Sequence, residues 1–165
     1  MHVRLARPSE VPIIAAVLSA AAANLVKRGE ALWDITDVSE SAVAPHVERG
    51  LYYIGFSRES AVGVFRLQSR DPAFWPKIPE WTSAYLHKLA VLPDEQGRGF
   101  AHELLVNAVT LTREKGFRFV RLDCVAGRPK LRTVYERFGF RHHSQVKIGT
   151  GIFDRFEFDV GAPDA

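Results

Sequence analysis

The sequence predicts an α/β (α+β) fold: a mixed, mostly antiparallel sheet of six to seven strands flanked by about four helices. Three observations carry this. Segments of helical and of strand periodicity interleave along the chain. Antiparallel hairpins are expected towards both ends, over 51–68 and 140–160. Two runs read as interior strands: Ala84 to Val91, with little alternation, and Phe117 to Val125, through Phe119, Val120, Leu122 and Cys124.

In chain order, His2 to Ala6 alternates Val3 and Leu5 with polar neighbours and reads as a short strand. Pro8-Ser9-Glu10-Val11-Pro12 opens a helix, with Ser9 as its cap and Pro12 in its first turn. The Ala-rich run carries it to about Lys27, where Gly29 stops it. Residues 30–39 are irregular and hold Trp33. Ser39 or Ser41 caps a second helix through His46 to Arg49, closed by Gly50. Leu51 to Ser57 and Ala61 to Gln68 pair around the turn Arg58-Glu59-Ser60. The stretch 70–83 carries three prolines and three large aromatics, and so long a loop in a compact domain is often functional. Ala84 to Val91 follows as a central strand. From Gly99 to Lys115 an amphipathic helix puts Phe100, Leu104, Leu105, Ala108 and Leu111 near one face, and Gly116 ends it. Phe117 to Val125 is the second interior strand. Pro129 begins a helix to about Phe138, stopped by Gly139. Phe140 to Ile148 and Ile152 to Val160 are strands joined by Gly149-Thr150-Gly151.

Composition bounds the function. With 165 residues, 47% hydrophobic and 25% charged, the chain suits one domain, 1–165, and not disorder, collagen or coiled coil. A single cysteine, Cys124, excludes an internal disulfide and a cysteine-based metal cage. Lys plus Arg number 22 against 19 acids, a net +3. That is too mild and too mixed for a nucleic-acid partner; it suits an anionic small ligand, and net charge alone favours ordinary surface charge over that. Arg4, Arg7 and Glu10 interrupt any signal-peptide pattern, and the apolar stretch Val11 to Ala23 is short for a bilayer. The expectation is a cytoplasmic protein without a membrane partner.

The informative segment is Leu89 to Ala101, LAVLPDEQGRGFA. A strand ends at Val91, a turn follows at Pro93-Asp94, and a glycine-rich stretch enters a helix. Gly97 and Gly99 let a ligand approach the backbone. The first N–H groups of a helix lack partners and carry the positive end of its dipole, so they favour phosphate. Arg98 adds a full charge. A plain strand–turn–helix bend is the alternative. Neither GxxxxGK(S/T) nor GxGxxG is present.

Gln96-Gly97-Arg98-Gly99-Phe100-Ala101 matches Q/R-x-x-G-x-G/A, the acyl-CoA signature of the GNAT N-acetyltransferases. Leu89-Ala90-Val91-x-Pro93 resembles that family's fourth strand, and Tyr135-Glu-Arg-Phe-Gly-Phe140 resembles its closing motif. The likeness covers nearly the whole chain. It implies a fold in which the fourth and fifth strands splay apart, and acetyl-CoA as cosubstrate without a metal. The backbone of Leu89, Ala90 and Val91 would pair with the pantetheine arm. The amides of Gln96, Gly97, Arg98, Gly99, Phe100, Ala101 and His102 would line the pyrophosphate site. A strand amide near Val91 would polarise the thioester carbonyl. Tyr135 matches the general acid that protonates the leaving thiolate, or it packs under Phe138 and Phe140. Many members have Asn seven residues before this Tyr; here Arg128 stands there, reaching a CoA phosphate with Lys130 or lying in solvent.

Transfer to an amine needs that amine neutral, hence a base or a water relay. Asp123, twelve residues before Tyr135, and His87, on the fourth strand, are the candidates. The bland readings are an Asp satisfied by the backbone or Arg121, and a hydrogen-bonded strand histidine. Cys124 alternates to the face opposite Asp123 and packs. Trp33, Asp34, Asp71, Phe74, Trp75 and Tyr85 are the candidates for an acceptor pocket, aromatic faces and acids together holding a cationic amine. The reading is an acetyl-CoA-dependent transferase acting on a primary amine of a small molecule or a peptide N-terminus. The alternative is a non-catalytic acyl-CoA-binding module. The resemblance also allows a homodimer.

Overall fold

Four α-helices and seven strands follow the predicted order, in a computed structural model that describes residues 1–161; the last four residues of the expected domain lie outside the described residues. The strands are β1 (His2–Leu5), β2 (Tyr52–Ser57), β3 (Ser60–Gln68), β4 (Ser83–Val91), β5 (Phe119–Val125), β6 (Arg141–Ile148) and β7 (Gly151–Asp159). The helices are α1 (Val11–Lys27), α2 (Glu40–Glu48), α3 (Phe100–Glu114) and α4 (Pro129–Phe138). They make one seven-stranded mixed sheet, ordered β1-β2-β3-β4-β5-β7-β6. The predicted central strand β4 stands in the middle of that order. β4 and β5 pair in parallel, since a helix-containing crossover through α3 joins them. Their ladder runs only from Ser83↔Phe119 to Tyr85↔Arg121.

The predicted helix stops hold: Gly29, Gly50, Gly116 and Gly139 all have positive φ, which only glycine adopts freely. Ser39 caps α2, its Oγ accepting from Ala42 N at 3.3 Å. The start of α1 differs from expectation. Ser9 does not cap it; Pro8–Glu10 forms a 3₁₀ turn and α1 begins at Val11. The Glu10 carboxylate takes over, accepting from Arg7 N at 2.8 Å and from both terminal nitrogens of Arg4 at 2.9 and 2.7 Å. A buried carboxylate with three charge-assisted or backbone donors outweighs a hydroxyl there. The stretch Pro8–Lys27 is also longer than the apolar run suggested: 20 residues of mean hydropathy 1.7, enough by length and composition alone to cross a bilayer. Its Ile14, Val17, Leu18, Ala21 and Ala22 instead enter the protein core.

The chain packs as two compact units, Met1–Leu67 with Lys88–Leu104, and Gln68–His87 with residues from Leu105 onward. In the first, α1 and α2 cover a core built from Ile14, Leu18, Val43, Tyr52, Ile54 and Val64. Gly63 lets β3 lie close to β4: a Cβ there would stand 2.8 Å from Ala90 O and 2.7 Å from Leu104 Cδ1. In the second, β5 pairs with β7 from Phe119↔Asp159 to Val125↔Phe153. Alternation sorts its side chains: Val120, Leu122 and Cys124 are buried on one face, while Asp123 lies on the other. Tyr135, Phe138, Phe140, Phe156 and Phe158 form a continuous aromatic cluster in this unit.

Candidate active site

Within the first unit, β4 ends at Val91 and the 3₁₀ turn Pro93–Glu95 leads to the glycine loop and α3. Gly97 and Gly99 have φ of 76° and 85°, with Arg98 between them in an ordinary conformation. A Cβ at either glycine would meet nothing within 4 Å, so the space over the loop is open. Alternating left-handed residues turn successive N–H groups to one side, the arrangement that binds anions. Gln96 ties the loop back, its Nε2 donating to Val91 O at 3.4 Å. The Arg98 guanidinium pairs with Glu95 and lies 5.3 Å from the Phe100 ring centroid. Phe100 is buried as the anchor of α3, Ala101 is half-buried, and His102 is exposed in its first turn. Upstream, Lys88 interrupts β4 with a φ of 53°, a conformation costly for a side-chain-bearing residue. Its Nζ stands 4.9 Å from the Trp33 ring centroid, so a lysine of the chain itself lies on that predicted substrate contact. Asp34 is exposed and serves locally, opening the 3₁₀ turn Ile35–Val38.

Within the second unit, Asp71, Trp75, Tyr85, His87 and Asp123 come together. Asp71 and Trp75 belong to the long proline-rich loop. Asp71 Oδ1 accepts from Phe74 N at 3.2 Å, and Asp71 O accepts from Trp75 N at 2.9 Å. This turn folds the Asp71 carboxylate back onto β4, where Oδ2 stands 2.9 Å from His87 Nε2. Asp71, His87 and Asp123 each bring one oxygen or nitrogen to within 4.8 Å of the others. The Trp75 ring is 2% exposed; it lies against Tyr85 and His143, with Arg155 stacked over its face at 4.9 Å. Burial pushes the Tyr85 phenol up, against the pull of nearby Arg121. Arg121 is engaged elsewhere, by Ser83 Oγ and by Glu157 at 3.2 Å. Trp81, from the same loop, is 66% exposed and stands apart from Trp75 in environment.

Tyr135 sits on α4, buried against Phe140 and Phe156. Burial, with the neighbouring Cys124 and Asp123, drives its phenol well above the ordinary tyrosine range. It is protonated at any working pH. Burial, then Asp154 and Asp123, push the Cys124 thiol up to about 12, which leaves it an inert packing group. Arg128 is the half-buried N-cap residue of α4, and Lys130 is exposed in its first turn. Sequence reasoning missed Arg155. Its position shares a face with Phe153 and Glu157 by strand alternation, but its neighbours follow from β7 lying beside β5.

A family model described as the acetyltransferase (GNAT) family matches residues 23–140. YesJ of Bacillus subtilis strain 168, described as an uncharacterized N-acetyltransferase, is 29% identical over 131 residues, which is 74% of this chain and 67% of that protein. A GNAT-family acetyltransferase from Listeria monocytogenes superposes with a TM-score of 0.78 at 21% identity, over 96% of this chain and 94% of that one. The protein yncA from Salmonella typhimurium, solved with its cofactor acetyl-CoA, gives 0.71 at 17% identity, over 100% and 98%. At such identities the structural likeness speaks for the fold.

Proposed function

The chain belongs to the acetyltransferase (GNAT) family, and on that premise we propose that it transfers an acetyl group from acetyl-CoA to a primary amine of a small molecule. The observation that carries the reading is the loop Gln96–Gly99: two left-handed glycines with open space above them, at the start of α3. The loop amides hold the pyrophosphate, and the Leu89–Val91 backbone holds the pantetheine arm. A β4 amide near Val91 receives the negative charge that develops on the thioester oxygen.

The amine nitrogen forms the new C–N bond as the C–S bond breaks. The proton it sheds passes to His87, with Asp123 as the neighbouring carboxylate. The departing thiolate takes a proton from Tyr135, whose buried phenol is always in the acid form. Asp71, Trp75 and Tyr85 build the acceptor side in the second unit. The cytoplasm is the compartment we assign, where acetyl-CoA is made and a free thiol such as Cys124 persists.

Thiol release from acetyl-CoA across a panel of primary amines, with calorimetric titration of acetyl-CoA alone, tests this. Saturable binding and turnover of at least one amine are expected. No binding at high micromolar acetyl-CoA would overturn the reading. Binding without thiol release from any amine would favour the non-catalytic acyl-CoA-binding module.

A further inference from the structure

Two histidine–aspartate pairs in the second unit have the same separation and different geometry. His142 Nε2 and Asp154 Oδ1 lie 2.9 Å apart and are hydrogen-bonded. His87 Nε2 and Asp71 Oδ2 also lie 2.9 Å apart, yet both atoms are buried and neither has a hydrogen-bond partner. The Asp71 side chain is only 5% exposed. With its proton on Nδ1, His87 presents Nε2 as an acceptor beside the Asp71 carboxylate, and the two atoms together suit a donor that supplies several N–H groups. A primary ammonium is such a donor.

The same site carries the opposite polarity nearby. Arg155 donates Nη1 to Phe74 O and Nε to Ser144 Oγ, both at 2.9 Å, and has no carboxylate partner among the described residues. Trp75 Nε1, under the Arg155 guanidinium, is buried with no acceptor. A half-buried cation without a salt-bridge contact, and an orphaned indole N–H, favour an incoming anion. Both poles are tied to one residue: Phe74 N–H binds Asp71, and Phe74 C=O binds Arg155. They are therefore at most roughly 10 Å apart, about the span of one α-amino acid with a hydrogen bond at each end.

We propose that the acceptor is an α-amino acid, its ammonium held by Asp71 beside His87 and Asp123, and its carboxylate by Arg155. This rests on the acetyltransferase reading and narrows its substrate class. The ammonium gives one proton to His87 Nε2, and the imidazolium so formed is already at ion-pair distance from Asp71. The freed nitrogen lone pair forms the C–N bond as the C–S bond breaks; the nitrogen's second proton replaces the one that Tyr135 gives to the departing thiolate, so the products are the amide and the free thiol. The carboxylate stays on Arg155 throughout, so Arg155 is a specificity-determining residue.

The test sets each common α-amino acid against its C-terminal amide and its decarboxylated amine, reading kcat/KM by thiol release. At least one amino acid should exceed both analogues by about 10-fold or more, because analogues leave buried charge unpaired. Arg155→Gln should bring that ratio close to one, while Arg155→Lys should keep part of it. An amide or amine that equals or beats the best amino acid would overturn the proposal. Should no amine turn over, the acetyltransferase reading fails by itself, and calorimetry of the amino acids on the native protein decides the pocket. Saturable binding, weakened at least 10-fold in Asp71→Asn, would support it, and no binding would sink it. Stoichiometric Zn²⁺ binding lost in Asp71→Asn, without amino-acid binding, would also sink it by assigning the cluster to a cation.

Discussion

Tyr135 is kept neutral by burial rather than by a hydrogen bond network, and that fixes what its loss should do. Phe fills the same aromatic niche against Phe140 and Phe156, so the packing survives and only the proton is lost. Tyr135→Phe should lower kcat about 100-fold, the low end for a general acid, with acetyl-CoA affinity by calorimetry nearly unchanged. An unchanged kcat would reject Tyr135 as the acid. A purely structural single-residue effect is expected at Gly63. Ala there would drive a Cβ into the Ala90 carbonyl and Leu104. The carbonyl is backbone and cannot swing away, so Gly63→Ala should cost about 1–3 kcal/mol, read as a lower urea midpoint at unchanged slope.

Elements were legible in the sequence wherever one residue acts on its own neighbours. Gly29, Gly50, Gly116 and Gly139 could be read as stops because a left-handed residue ends a helix whatever surrounds it. The loop Gln96–Gly99 was readable for the same reason. Ser9 misled because its competitor, Glu10, draws on Arg4 from a neighbouring strand. The Asp71–His87 contact was not legible either: it needs the turn at Phe74 and the hold of Arg155, which is 81 residues further on. Gly99→Ala must place a side chain at a φ of 85°, costing about 1–2 kcal/mol with no clash, since a Cβ there meets nothing within 4 Å. Its larger effect should be on ligand: reoriented amides should weaken CoA binding at least about 10-fold, measured by titration. At the entry to α1, the Arg4 guanidinium holds Glu10 from the ordinary 4.5 down to about 2, against the opposing pull of burial. A lowered carboxyl stabilises the fold above the ordinary value and loses that contribution as pH falls towards the folded one. Glu10→Gln should therefore lower stability by about 1–2 kcal/mol at pH 7. The gap to the native protein in thermal melts should close between pH 4.5 and 2.

Across the whole molecule, 22 basic residues face 19 acidic ones, and much of that charge is spent internally. Arg4 pairs with Glu10, Arg118 with Asp159, Arg121 with Glu157 and Arg132 with Glu136. Arg98, the one full positive charge in the glycine loop, pairs with Glu95. The phosphate site proposed at this loop would thus depend on backbone amides and the α3 dipole, which are neutral or partial charges, more than on free cations. That separates two kinds of anion binding by salt. A polyanion gripped by lysine and arginine loses roughly 1,000-fold in affinity or more between 50 and 200 mM salt, through counterion release. A ligand held by short, oriented amides is screened far less, because the contacts lie inside one Debye length of about 10 Å. The CoA dissociation constant should accordingly rise by less than about 3-fold over that salt range, measured by titration at fixed pH. Arg98→Ala, made together with Glu95→Gln so that no bare carboxylate is left beside the site, should shift it by a similarly small factor. A steep salt slope, or a collapse of CoA binding in that double variant, would move the recognition from the backbone to the side chain.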